Sequence, residues 1–510
     1  MSSRALPVIG EPARRGDACA MPGGGVITDA AAKSPAMHAE AGFAGNVLLV
    51  TLGCAKNLVD SELMLGALRA KGFRPISEPE QADLIVVNTC AFLQSAVEEG
   101  IDRILELAAY KEKGRCRRLV VAGCMVERYR KDLEASMPEV DRFVSTDEIL
   151  TVADEGSTAE QTFDEARRPY FLYDEAMPRV RSTAGHTAYL KVAEGCDRPC
   201  AFCIIPKIRG AFRSRSEDSV VAEARMLLSE GVKELNLVAQ DLTSYGSDFA
   251  GSSAAGVSKE PRLISLIDRF EALTSEFQDP FWIRLLYAYP IGVTDTLVKR
   301  LANSPVLCSY LDLPLQHISN AVLKRMNRPL GERGTRGLIE QIRATAPNLK
   351  LRTTFIVGFP GETEEDIASL EEFVSAGHFT HVGVFPYSQE SEAKSYVFPD
   401  QISREVAEER MGRIMEAQQR IVAARHESQI GQVERVLVEG THEDSDLLYT
   451  GRTQWQAPET DGFVILNDVE EDLRTDEEAS PIEALVGKFV DVEITESAGY
   501  DLVGKVIRVY

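Results

Sequence analysis

A chain of 510 residues with 44% hydrophobic content has room for about three domains at ~150 residues each. No apolar run reaches the ~18 residues that cross a bilayer, and nine cysteines are too sparse for a disulfide scaffold and point to a reducing, cytoplasmic setting. The formal net charge of −23 argues against a broad nucleic-acid-binding surface, though not against a local basic patch.

Residues 1–43 are rich in Ala, Gly and Pro without periodicity, and are expected to be an unfolded tail. Arg14-Arg15 is not followed by the apolar core of a twin-arginine signal. Cys19 lies in this tail as a bystander.

Strands and helices alternate from Asn46 onward. NVLLVTLGC is an apolar run ending at Cys54, and Asn57 to Lys71 reads as an amphipathic helix stopped by Gly72. ADLIVVNTC ends at Cys90, a helix follows through Val97, Ile101 and Ile104, and RLVVAGC ends at Cys124. This predicts a parallel α/β layer over 44–156. All three cysteines fall just beyond the carboxyl end of a strand, where the loops of an open α/β sheet converge. Three thiolates there can hold three irons of a cluster and leave the fourth open. Packing of three small buried residues is the alternative. Cys116 and Cys308 lie outside this set and are read as structural.

Residues 157–181 are polar and read as a linker with room for one strand. The segment 182–426 opens with HTAYLKVAEG and runs into GCDRPCAFC, which holds Cys196, Cys200 and Cys203. Three thiolates on one loop suit a four-iron cluster with one open iron. A zinc loop completed by a distant histidine such as His186 is the alternative, although zinc sites more often show a second short-spaced pair. Further strand-like runs follow at ELNLVAQD, FWIRLLYAYP, YLDLPLQH, LRTTFIVGFPGE and HVGVFPYS, with helices between them. The alternation predicts a partial TIM-type barrel with its chemistry at the carboxyl strand ends. Gln240 and Asp241 stand at one such end as candidate cofactor or substrate contacts, with loop capping as the alternative. His317, at the end of LDLPLQH, is read as a structural histidine as readily as a proton-transfer group. After Arg425, five short alternating runs predict a small antiparallel β-barrel over 427–510.

The motifs TLGCAKN, NTC, AGC and GCDRPCAFC together resemble those of the methylthiotransferase family of radical S-adenosylmethionine (SAM) enzymes. The resemblance covers residues 44 to 510. It implies a cluster domain, a radical SAM core and a C-terminal TRAM domain. It also implies two [4Fe-4S] clusters, one on Cys54, Cys90 and Cys124 and one on Cys196, Cys200 and Cys203, with SAM as cosubstrate. FIVGFPGET resembles the strand that supports adenosine in such enzymes, which makes Gly358 a candidate SAM contact. The implied chemistry is radical hydrogen abstraction followed by sulfur insertion and methylation. An electron donor and a sulfur donor must also meet the enzyme, and the sequence names neither.

The family has two branches. One modifies an adenosine of tRNA, the other the β-carbon of an aspartate in protein twelve of the small ribosomal subunit. Residues 428–510 hold 19 acidic and 6 basic residues, a balance of −13, densest in EEDLRTDEE. Such a domain repels phosphate and complements a basic protein, so no direct nucleic-acid binding is expected from it. LLYAYP, LDLPLQHISN, VAQDLTSYG and APETDGFVILND also resemble the protein-modifying branch. That branch is the expectation, with the tRNA branch as the alternative.

Overall fold

The computed structural model describes residues 25–27, 43–154, 170–249, 262–442, 445–470, 473 and 482–510. The first sheet is built on β2 (Gly45–Thr51), β4 (Leu84–Thr89), β5 (Arg118–Gly123) and β6 (Arg142–Val144), paired side by side in parallel. β3 (Phe73–Pro75) pairs with one half of the free edge of β2. β1 (Gly25–Ile27) pairs antiparallel with the other half, Gly25 opposite Thr51. Three residues of the stretch expected to be unfolded thus form a strand. An open edge of unpaired amides and carbonyls recruits such a partner, and a three-residue strand is too short to leave a pattern in sequence. β2, β4 and β5 are near-continuous apolar runs because helices cover both faces of the sheet.

The helix Ala55–Ala70 departs from the amphipathic expectation. Its polar residues Asn57, Asp60, Ser61 and Glu62 are as buried as its leucines. They face the second domain, not water: Glu62 takes two bonds from Arg179, and Asp60 pairs with Lys191 and Arg209. Arg179 lies in the stretch read as a linker, whose described part, 170–181, is irregular and has no strand.

The second domain is an open arc of six parallel strands. β7 (Thr187–Lys191), β10 (Glu234–Val238) and β11 (Trp282–Leu285) pair in one run. β12 (Tyr310–Asp312), β13 (Lys350–Val357) and β14 (His381–Pro386) pair in another. Amide bonds from Cys308 to Ile283 and from Ala288 to Asp312, both 2.9 Å, join the two runs. The short pair β8 (Ala193–Glu194) and β9 (Arg213–Ser214) stands between β7 and the following helix. Helices such as Glu217–Ser229, Asp295–Asn303 and Glu364–Ser375 pack outside the arc and bury Leu227, Leu297 and Leu370 against it. This is the partial barrel the strand–helix alternation predicts.

The third domain is a closed barrel in the order β15 (Val433–His442), β16 (Ser445–Thr453), β17 (Val464–Val469), β19 (Asp501–Val509), β18 (Phe489–Ala498). Its neighbours are antiparallel except β17 and β19, which run parallel. EEDLRTDEE lies almost wholly outside the described residues.

This barrel is fastened to the amino ends of the core strands. Glu234, first in β10, is fully buried between Arg284 (2.8 Å) and Arg452 (2.5 Å). Trp282, first in β11, packs on Phe489 with ring centres 4.6 Å apart. Tyr310, first in β12, donates to Asp461 at 2.7 Å. Removal of this domain would uncover buried charge and aromatic surface.

Candidate metal centre

Cys54, Cys90 and Cys124 follow the carboxyl ends of the adjacent parallel strands β2, β4 and β5. Cys54 caps the helix Ala55–Ala70, Cys90 directly follows Thr89, and Cys124 opens the helix Cys124–Ser136. Two glycines let these loops converge. Gly53 has φ +96°, and a Cβ there would stand 2.7 Å from Cys90 Cβ. Gly123 has φ +94°, and a Cβ there would stand 2.2 Å from Asn88 Oδ1. Both positions need the left-handed freedom and the missing side chain of glycine.

Cys196, Cys200 and Cys203 follow β8 on the loop at the carboxyl end of the core. Gly195, with φ +79°, brings this loop against Ala211, and the Cys196 amide bonds Gly210 O at 3.1 Å. Each thiol has a neighbouring N–H donor. The Arg198 amide reaches Cys196 Sγ at 3.4 Å, the Ile205 amide reaches Cys203 Sγ at 3.5 Å, and Arg328 Nη1 reaches Cys200 Sγ at 3.6 Å. Tyr289 lies between the guanidinium groups of Arg198 and Arg328, 4.2 and 4.3 Å from its ring centre.

Among the described residues, no three His, Cys, Asp or Glu side chains gather closely enough to hold a single metal ion. His186, the zinc alternative's distant ligand, precedes the amino end of β7 and lies beside Gly487 of the third domain, at the far end of its strand from the cysteine loop. Two sets of three thiols at strand ends, with N–H donors on the sulfurs of the second, suit clusters whose ligands are spread around four irons. Burial pushes the Cys196 and Cys124 thiols up to about 11; Arg209 opposes this at Cys124 and an amide hydrogen bond opposes it at Cys196. A bound metal ion shifts such thiols to thiolate outright.

One buried polar network joins the two sets. Asn57 Oδ1 accepts from Cys124 Sγ at 3.5 Å and from Arg209 Nη2. Arg209 Nη1 reaches Asp60 at 2.6 Å. Lys191 bridges Asp60 (2.5 Å) and Glu194 (2.7 Å). Glu194 directly precedes Gly195 and Cys196. Burial would raise its carboxyl, but Lys191 and Arg209 hold it at about 2. Two cations and two carboxylates therefore balance inside a site from which water is excluded.

Gln240 and Asp241 both touch this region, in different ways. Asp241 takes the capping role: its oxygens accept from Thr243, Ser244 and, at 2.7 Å, Arg198. Gln240 Nε2 donates to Glu194 at 2.5 Å, and its Oε1 is buried with no partner. Gly358 follows β13 with φ +75°, and a Cβ there would stand 2.4 Å from Ala407 Cβ of the helix Arg404–Gln429. His317 is buried, accepts from the Ser319 amide at 3.0 Å and lies 3.3 Å from Glu362. Cys116 and Cys308 are buried away from both sets, and burial pushes the Cys308 thiol up to about 12.

Sequence reasoning missed Arg209, Lys191, Glu194, Asn57, Asp60, Tyr289 and Arg328. One signal was present: IPKIRGAFRSR sets four cations within nine residues just after the cysteine loop. Arg209, Arg213 and Arg215 are all buried.

Residues 46–145 match the uncharacterized protein family UPF0004, 190–374 the radical SAM superfamily and 430–507 the TRAM domain. Ribosomal protein uS12 methylthiotransferase RimO of Geobacter sulfurreducens is 44% identical over 464 residues, 90% of this chain and 98% of the relative. The protein of the same name from Anaeromyxobacter sp. (strain K) is 45% identical over 465 residues, 91% and 94%. Among solved structures, the radical SAM methyltransferase TsrM of Kitasatospora setae is similar with a TM-score of 0.46 and 15% identity, over 67% of this chain and 73% of that one. The family matches make the architecture that of a radical SAM enzyme carrying a TRAM domain. The chain belongs to the ribosomal protein uS12 methylthiotransferase family. No helix among the described residues is long and apolar enough to cross a membrane.

Proposed function

We propose that this chain replaces a hydrogen on the β-carbon of an aspartate in ribosomal protein uS12, small-subunit protein twelve, with a methylthio group. The observation that carries this is the pair of three-cysteine sets at the carboxyl ends of two parallel sheets, joined by one buried network. Bound clusters and SAM supply the radical hydrogen abstraction that an unactivated C–H bond requires and no side chain can perform.

The chain's own residues do the rest. Cys196, Cys200 and Cys203 hold the cluster that meets SAM, and Cys54, Cys90 and Cys124 hold the one that serves sulfur insertion. Gln240 Oε1 offers a free acceptor at the same mouth, suited to the ammonium of SAM. Gly358 belongs to the adenosine-supporting strand end. Asp60, Lys191, Glu194 and Arg209 fix the two cysteine sets relative to each other and exclude water. The division into 44–156, 182–426 and 427–510 follows the same assignment of roles. The C-terminal balance of −13 suits a basic protein better than RNA, which sets the tRNA alternative second.

Two triple variants test the cluster assignment. Replacing Cys196, Cys200 and Cys203 by Ala halves the bound iron and abolishes reductive release of 5′-deoxyadenosine from SAM. Replacing Cys54, Cys90 and Cys124 halves the iron and spares that release. Full iron content in either triple variant contradicts the ligand assignment.

A further inference from the structure

A basic cavity lies at the other end of this acidic protein. It has a volume of about 450 Å³ and opens between the core, the helix Arg404–Gln429 and the C-terminal barrel. Arg343, Lys350 and Arg425 line it, and Glu434 is the one carboxylate among its lining residues. Lys350 begins β13 and Thr380 directly precedes β14, so the cavity sits at the amino ends of the strands. The eight residues of β13 separate it from Gly358 by roughly 26 Å at ~3.3 Å per residue.

Neutral groups hold two of these cations in place without compensating their charge. Arg343 donates to the carbonyl oxygens of Pro347 (3.2 Å), Leu349 (2.6 Å) and His378. Arg425 donates to Thr380 Oγ1 at 3.0 Å and Gly377 O at 2.5 Å. Lys350 Nζ lies 5.8 Å from the ring centre of Trp455. None of the three forms an ion pair with a described carboxylate. His426 also lines the cavity, and its Nδ1 is buried with no partner. Burial lowers all three cations from their ordinary values; the Arg425 guanidinium adds to this at Arg343, while at Lys350 the Glu434 carboxylate opposes it and the two guanidinium groups add to it. Half-buried like charges of this kind are relieved by an anion.

We propose that this cavity binds a phosphate group. Arginine presents planar forks that fit phosphate oxygens, and lysine adds a point charge. The volume exceeds that of a lone phosphate and leaves room for the group that carries it. A free nucleotide and a phosphodiester of single-stranded RNA share this chemistry. The site is independent of the roles assigned to the cysteines.

Calorimetric titration of the full-length protein with inorganic phosphate, AMP and a short single-stranded RNA tests the proposal. Saturable binding is expected, weakened about tenfold or more by Lys350→Gln or Arg425→Gln, as fits the loss of one charge-assisted bond. Binding of phosphate or AMP identifies a free ligand, and binding of RNA alone identifies a backbone phosphate. Arg425 also anchors Gly377 and Thr380, so Lys350→Gln decides if the Arg425 variant unfolds. No saturable binding of any probe, or unchanged affinity in Lys350→Gln, overturns the proposal.

Discussion

Arg209 and Cys124 stand on different domains yet meet at one atom: both donate to Asn57 Oδ1, Cys124 from 3.5 Å. The same guanidinium reaches Asp60 at 2.6 Å. The cysteine loop of the core is thereby tied to the helix that Cys54 caps. Arg209→Met leaves Asp60 and Glu194 with Lys191 as their remaining close cation. Breaking one partner of a buried pair costs ~3–5 kcal/mol, so urea unfolding of the apoprotein should show a loss of that order. Asp60→Asn added to Arg209→Met should recover part of it; two additive losses would mean the pair does not interact.

Gly53→Ala tests the convergence of the first set. The new Cβ meets Cys90 Cβ at 2.7 Å at a backbone angle of φ +96°. Gly231→Ala is the control, since Gly231 has φ +92° but nothing within 4 Å of its Cβ. Both variants carry backbone strain of ~1–2 kcal/mol, yet only Gly53→Ala should lose half of the iron. Equal iron in the two, measured per chain after reconstitution, would place Cys90 outside the site.

Glu234 predicts a pH dependence with a definite sign. Burial would raise its carboxyl, but Arg452 and Arg284 hold it at about 2, against an ordinary value of 4.5. A carboxyl lowered by folding stabilises the protein above the unfolded value, and the gain is lost as pH falls toward the folded one. The stability gap between wild type and Glu234→Gln should therefore be full at pH 7, begin to close below about 4.5 and keep closing toward about 2. The size of the change is about 3 kcal/mol at 1.36 kcal/mol per pKa unit. A gap independent of pH across this window would show that Glu234 is not charged in the folded protein.

Truncation before Val433 should damage the core as well as remove the barrel. It exposes Trp282 and Tyr310 and leaves Arg284 and Glu234 without Arg452. The loss is several kcal/mol at ~25 cal/mol per Å² of apolar surface uncovered, read as a lower Tm and poor solubility. An equally stable truncated core would show that the interface contributes little.

The cysteine spacing and the apolar runs made the two cysteine sets and all three domains legible in sequence. Period and composition report local structure, and these elements are local. The network around Arg209 was not legible, because its members come from residues 57, 60, 191, 194 and 209, and burial of charge leaves no pattern. Asn57, Asp60 and Glu62 read as a solvated helix face; the second domain covers them. The clasp of Arg284, Glu234 and Arg452 was hidden for the same reason. Asp241 read equally as a cofactor or substrate contact and as a loop cap; in the structure its oxygens accept from Thr243 and Ser244 and also from Arg198 of the cysteine loop, a partner that only the fold brings to it.

The most direct test of the account offers purified ribosomal protein uS12 and tRNA side by side to the reconstituted enzyme with SAM and a reductant. Mass spectrometry of the digested products should find one methylthio group on an aspartate of uS12 and none on the tRNA. Methylthiolated tRNA beside unmodified uS12 would contradict the assignment and the charge argument with it.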